Sequence, residues 1–294
     1  MNKRLVFALP GNEAMADRLA AQIGAESGQI ETRQFPDGES YLRFVTPVAG
    51  RSVLLVCTLA HPNPKFLPLL FAGAAAKDLG AAKVGVIAPY LAYMRQDRRF
   101  QEGEAVTSRH AANLLSGTFD WLVTVDPHLH RYHALGEIYT IPVRALHAAP
   151  LLSAWIRAHV ADPVLIGPDS ESEQWVAAAA RDAGAPFTVL EKVRHGDRDV
   201  EIKVRNMEQL KGRTPILVDD IVSSGRTMLE AVRHVRAFCQ VPPVCLAVHG
   251  VFADESDKAL ERVRARIVTT NTIPHRSNAI DVAQLLSEAV LELS

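Results

Sequence analysis

Short apolar runs alternate with longer amphipathic or alanine-rich stretches along the whole chain. Residues 6–9, 53–58, 84–88 and 122–125 are near-continuous apolar runs, as strands are where helices cover both faces of a parallel sheet. Between them, 12–23, 64–79 and 108–115 have helical length and spacing, and Gly24, Gly80 and Gly117 stand where helices commonly stop. The alternation restarts after residue 145. Residues 164–166, 187–190, 216–218, 244–248 and 267–269 predict strands, with helices near 171–183, 227–239 and 254–264 and a last one over 280–293. The pattern predicts an α/β chain of two domains, 1–144 and 145–294, each a mostly parallel sheet flanked by helices.

With 294 residues, 48% hydrophobic and 22% charged, the chain can bury a real core in one large or two ordinary domains. Disordered and fibrous classes are excluded. Lys and Arg number 32 against 33 Asp and Glu, a net charge of −1, so no global field draws the chain to nucleic acid or an acidic membrane. Phosphate binding must then come from local clusters. No uninterrupted apolar run approaches the roughly 18 residues of a membrane span. The basic start MNKRLVFALPG breaks at Pro10 and Gly11 and reads as a strand, not a signal. Cys57, Cys239 and Cys245 have apolar neighbours and no metal-type spacing, which points to a reducing, cytoplasmic setting.

Candidate chemistry concentrates in ILVDDIVSSGRT, residues 216–227: an apolar strand, two acids, a loop of small hydroxyl residues, then a helix starting near Arg226. Hydroxyls of Ser223, Ser224 and Thr227 with helix N-terminal N–H groups suit a phosphate. Asp219 and Asp220 accept only, and beside a phosphate loop they suit vicinal sugar hydroxyls, directly or through a divalent cation. Phosphate plus diol means a sugar phosphate. The plainer alternative is a solvated helix cap and a serine turn.

Other segments carry weaker signals. FPDGE, residues 35–39, is a P-D-G turn before a strand over 41–45; an adenine stacked on Phe35 is the functional alternative. In APYLAYMRQDRRFQEGE, residues 88–104, Arg95, Arg98 and Arg99 follow an apolar strand at the ligand edge of an open α/β sheet and can clamp a polyphosphate, with Gln96 adding neutral hydrogen bonds. VDPHLHRYH places Asp126, His128, His130 and His133 after another strand; no zinc spacing is completed, which leaves a zinc hydrolase a weak alternative. Asp169 ends the strand of IGPD and can cap the next helix. LEKVR, residues 190–194, reaches through polar residues 195–199 to a strand over 200–204, a hairpin with Lys192 and Arg194 on one face of its first arm.

VDDIVSSGRT resembles the ribose-phosphate loop of type I phosphoribosyltransferases and of ribose-phosphate pyrophosphokinases, and the segments FPDGE, PYLAYMRQD, DPH, GPD and EKVR, in that order, resemble the latter family. The resemblance implies two tandem phosphoribosyltransferase-like domains and pyrophosphoryl transfer from ATP to ribose 5-phosphate, with Mg2+ as cofactor. It implies that Phe35, Asp37, Gly38, Glu39, Arg95 and Gln96 bind ATP, and that His128 and Asp169 hold the metal. Lys192 and Arg194 fall on the family's catalytic K-x-R flap, Arg194 also touching substrate. Asp219, Asp220, Ser223, Ser224, Gly225, Arg226 and Thr227 would bind the sugar phosphate. Homo-oligomers with the FPDGE turn serving a neighbouring subunit are expected. Three departures stand out: Ser224 replaces a common Thr, Arg226 a Gly, and Val193 a frequent Arg. Open alternatives are transfer to another sugar phosphate, a phosphoribosyltransferase, and a non-catalytic regulatory relative.

Overall fold

The computed structural model describes residues 4–169, 172–194, 200–204, 210–239 and 241–294, with the backbone alone along 191–194 and 200–204. Two compact units emerge, Met1–His147 with Val282–Ser294, and Ala148–Asp281.

The first unit runs β1 (Arg4–Ala8), α1 (Glu13–Ile23), β2 (Glu26–Ser27), β3 (Ile30–Gln34), β4 (Ser40–Phe44), β5 (Ser52–Val56), α2 (Asn63–Asp78), β6 (Lys83–Ala88), α3 (Thr107–Thr118), β7 (Trp121–Val125) and β8 (Val143–Leu146). Its parallel sheet has the order β2-β1-β5-β6-β7-β8. Strands β5 and β7 are buried at every position, as a sheet covered on both faces requires. Gly85 on β6 pairs with Trp121 on β7, and a Cβ there would lie 2.0 Å from the indole. Glycine is what makes room for that ring. Strands β3 and β4 form a separate antiparallel hairpin, tied to the core through Phe44, whose ring meets Phe7 edge-on at 4.9 Å.

The second unit runs α4 (Ala149–His159), β9 (Pro163–Gly167), α5 (Glu173–Ala183), β10 (Phe187–Arg194), β11 (Val200–Val204), β12 (Thr214–Val222), α6 (Arg226–Arg236), β13 (Val244–Gly250), α7 (Ser256–Arg262), β14 (Arg266–Thr270) and β15 (Asn278–Ile280). Its sheet has the order β11-β10-β9-β12-β13-β14-β15, parallel except for β10–β11. Helix α8 (Ala283–Leu293) then returns to the first unit. It packs on α1 and β7, the Arg4 guanidinium donates to the Ser294 hydroxyl at 2.7 Å, and the Lys83 ammonium donates to the Leu293 carbonyl.

The α/β grammar and the predicted strands are present, with differences. The sequence-based division at 144/145 puts α8 in the second half, whereas the structure groups it with the first, because an amphipathic pattern does not name the surface it covers. Gly24 caps α1 in the left-handed region, but Gly117 lies inside α3, which ends where Phe119 turns extended and buries its ring. Strand β12 runs on to Val222, so Asp219 and Asp220 stand within the strand rather than after it. Helix α4 and strand β3 lie where no element was assigned. Among the described residues no helix is long and apolar enough to cross a membrane.

Candidate functional site

In the first unit the candidate residues project from the C-terminal ends of parallel strands, where open α/β sheets bind ligands. After β6 the chain turns through Tyr93, a bulky residue at φ 61°. Such a conformation costs about 1–3 kcal/mol and persists only when its surroundings hold it. Here the Tyr93 hydroxyl donates to Asn63 Oδ1 at 2.5 Å and its ring meets Phe66 edge-on. Arg95 follows, exposed, with Gln96 half-buried. Two of the three arginines make contacts within their own loop. Arg99 donates to the Glu104 carbonyl at 2.9 Å, and the Arg98 guanidinium lies 4.8 Å from the Phe100 ring centre. Both thus take part in shaping their own loop.

After β7, Asp126 adopts φ 33°, and its carboxylate meets His147 Nδ1 at 3.0 Å. That contact raises the His147 pKa, the hydrogen bond outweighing partial burial. His128 is half-buried, 5.2 Å ring to ring from exposed His130. His133 is exposed. The sequence reading missed the following pair. Arg131 Nη1 reaches both oxygens of Asp97, at 2.9 and 3.1 Å, and the Asp97 side chain is only 1% exposed. The Tyr132 hydroxyl donates to the Asp97 carbonyl at 3.1 Å. The only sequence signal was a basic residue among histidines, with a partner 34 positions away.

FPDGE forms the tip of the β3–β4 hairpin, all five residues exposed. Phe35 N–H donates to the Glu39 carbonyl at 2.7 Å, Gly38 takes φ 91°, and the Asp37 carboxylate accepts the Glu39 N–H at 3.2 Å. The turn chemistry is real, and the Phe35 ring is still presented outward. The Arg33 guanidinium lies 4.5 Å from its centroid and 4.2 Å from that of Tyr41.

In the second unit Asp169 follows β9, and its carboxylate accepts the Ser172 N–H at 3.2 Å while its carbonyl accepts the Ser172 hydroxyl at 2.6 Å. It contacts the residue before α5, but the N-cap position is Ser172 and carries no side-chain cap bond, so Asp169 is not the cap expected of it. Asp219 and Asp220 are adjacent on β12, Asp220 N–H donating to Asp219 Oδ1 at 3.0 Å. Withdrawal from water holds the Asp219 carboxyl well above the usual aspartate range, with the charges of Asp220 and Asp169 adding to the effect. Asp219 thus lies within electrostatic reach of two further acids.

Past Val222 the chain passes half-buried Ser223 and exposed Ser224 to Gly225, which caps α6 at φ 66°. A Cβ at Gly225 would lie 2.7 Å from Ser256 Cβ; the Ser256 hydroxyl donates to the Ser223 carbonyl at 2.7 Å. Arg226 and Thr227 open the helix, whose first N–H groups lack intrahelical partners by geometry. Lys192 and Arg194 occupy alternate positions of β10, paired with Ile202 and Val200 of β11; the predicted polar link, 195–199, lies outside the described residues.

Among the described residues no cluster of three or more His, Cys, Asp or Glu is gathered to hold a metal unaided. Magnesium fits a set of this kind nonetheless, since it is commonly bound by one or two carboxylates and completed by water and substrate phosphates.

Residues 4–118 match the family described as the N-terminal domain of ribose phosphate pyrophosphokinase, and 135–281 match the phosphoribosyl transferase domain. A ribose-phosphate pyrophosphokinase of Sulfolobus acidocaldarius is 33% identical over 279 residues, 93% of this chain and 94% of that protein. One from Methanopyrus kandleri is 33% identical over 294 residues, 99% of each. The crystal structure of phosphoribosylpyrophosphate synthetase from Mycobacterium smegmatis superimposes with a TM-score of 0.85 at 27% identity, covering 99% of this chain and 100% of that one. The chain belongs to the ribose-phosphate pyrophosphokinase family, and it is an enzyme of that family.

Proposed function

We propose that the protein transfers the pyrophosphoryl group of ATP to the anomeric hydroxyl of ribose 5-phosphate, giving 5-phosphoribosyl 1-pyrophosphate and AMP. The observation that carries this reading is the run from β12 to α6, where two adjacent carboxylates, Asp219 and Asp220, lead directly into a hydroxyl-rich loop at a helix N-terminus.

In this reading the sugar 5-phosphate is anchored by Ser223, Ser224, Gly225, Arg226 and Thr227, whose donors are backbone N–H groups, hydroxyls and one guanidinium. Asp219 and Asp220 orient the ribose hydroxyls. Arg95 and Gln96 fix the polyphosphate of ATP, and Phe35, Asp37, Gly38 and Glu39 bind its base. His128 and Asp169 would hold magnesium, which when bound offsets the negative charge of the phosphates. Lys192 and Arg194 supply positive charge where negative charge develops as the bond to the β-phosphorus forms and the bond to the departing AMP breaks. No strong general base is required, since positioning and electrostatics carry the rate. The exposed apolar side chains of Phe35, Leu67 and Phe71 support a homo-oligomer, and a net charge of only −1 supports small-molecule substrates over nucleic acid.

The test is to incubate the pure protein with MgATP and ribose 5-phosphate and identify the nucleotide product. AMP formed only when the sugar is present supports the reading; ADP or no turnover refutes it for that substrate. A second reading, transfer to a different sugar phosphate, is favoured by Arg226, an exposed cation at the first position of α6. A panel of phosphorylated pentoses in the same assay separates the two.

A further inference from the structure

Arg131 and Tyr132 follow the candidate metal histidine by three and four residues, yet both act on the segment that carries Arg95 and Gln96. Arg131 Nη1 donates to both oxygens of the carboxylate of Asp97, the residue after Gln96, at 2.9 and 3.1 Å. Arg131 Cζ also lies 5.2 Å from the centre of the Phe100 ring. The Tyr132 hydroxyl donates to the Asp97 carbonyl at 3.1 Å and meets the buried Ser108 hydroxyl of α3 at 3.2 Å. Ser108 N–H in turn donates to the Gln96 carbonyl at 3.3 Å. Side chain and backbone of Asp97 are therefore both held from the loop after β7.

Two properties make this a brace and not an incidental surface pair. Asp97 is removed from water, so its charge is tolerable only while paired. The bond partners are also consecutive residues gripping one target in two directions, which fixes a loop far better than one contact does. An exposed ion pair would be worth little by comparison.

We propose that Arg131 and Tyr132 are positioning residues for the nucleotide: they lock the Arg95–Gln96 segment in register with the His128 loop, so that phosphate ligands and metal ligand move as one body. This rests on reading those two segments as the MgATP site. Neither residue touches substrate in this scheme. Its signature is a loss confined to ATP and magnesium.

The full-length Arg131→Lys and Tyr132→Phe variants, and the charge-neutral double variant Arg131→Met with Asp97→Asn, test it by steady-state kinetics and by titration with a non-hydrolysable ATP analogue and magnesium. The double variant is expected to weaken ATP binding about tenfold or more, a scale consistent with small misplacements of binding groups. Arg131→Lys should recover part of that loss, and Tyr132→Phe should cost about threefold, the scale of one hydrogen bond. The KM for ribose 5-phosphate should stay within about twofold in all three, as expected for a site that the hydrogen bonds do not serve. Unchanged ATP affinity with only a lower melting temperature overturns the proposal, as does an equal shift for both substrates. Tyr132→Phe preserves the aromatic ring, so it decides the matter even where the double variant fails to fold. Should the wild type form no AMP, the functional reading fails while the analogue titration still decides the brace.

Discussion

The two units build their ligand edges by different means. In the first, the candidate ligands are side chains, and other side chains hold the loops around them: Arg131 and Tyr132 grip Asp97, and His147 meets Asp126. Two non-glycine residues there, Tyr93 and Asp126, sit at positive φ just ahead of the candidate ligands. In the second unit the proposed donors include backbone N–H groups at the start of α6, and a glycine precedes them. Gly225 takes the left-handed conformation against Ser256, and the acids of β12 are held by the strand itself. Guanidinium forks reach out from a loop and need bracing, whereas N–H donors at a helix start are already fixed and need only an unobstructed approach.

The largest predicted effect belongs to neither edge. Lys192→Ala should lower kcat at least about a thousandfold, the scale of a lost transition-state contact, with both KM values nearly unchanged; equal losses in kcat and in binding would remove Lys192 from that role. Gly225→Ala comes next and should fall on one edge only. Strain at that φ costs about 1–3 kcal/mol, so the KM for ribose 5-phosphate should rise about tenfold or more while ATP binding is untouched. A matching rise for ATP would break the comparison. Adding Ser256→Gly should recover only the part due to the clash, because the backbone strain remains.

Asp219→Asn should abolish turnover yet raise the melting temperature at neutral pH. A folded-state pKa above the unfolded one means that ionised Asp219 opposes folding. That penalty is absent below the unfolded aspartate value of about 3.9, grows as pH rises above it, and is complete beyond the folded pKa. The advantage of the variant should therefore vanish in thermal melts as pH falls toward that lower value. A melting temperature that does not change with the substitution at neutral pH contradicts the charge crowding. The smallest effect is expected for Arg43→Gln, which breaks an exposed pair with Glu31 across β3 and β4. Neither melting temperature nor KM should move, since the hairpin is read here through its tip.

Much of this was legible in the sequence because it rests on local chemistry. Apolar runs marked the buried strands, and strand–DD–hydroxyl loop–helix marked the β12–α6 turn through a few contiguous residues. What escaped depends on distance or weak patterning. Asp97 read as one acid in a charged run, and nothing local names Arg131 as its partner. Strand β3, IETRQ, is largely exposed and has no apolar run to announce it. Helix α4 carried a usable signal, Pro150 at its start and Leu152, Trp155 and Ile156 at helical spacing. The spacing of the three arginines could not show that Arg98 and Arg99 are engaged within their own loop.

Helix α8 has a consequence for the order in which the protein is made. A ribosome releases β1 through β8 before any of the second unit, and α8 only afterwards, so the first unit emerges without the helix that buries Leu286 and Val290 against it. Until synthesis passes residue 293, the end of α8, the face beside α1 and β7 lacks that helix. A fragment cut after His147 is thus the wrong piece to express on its own. Fusing 283–293 back through a short linker should restore its solubility, a thing no extension into 148–281 would do.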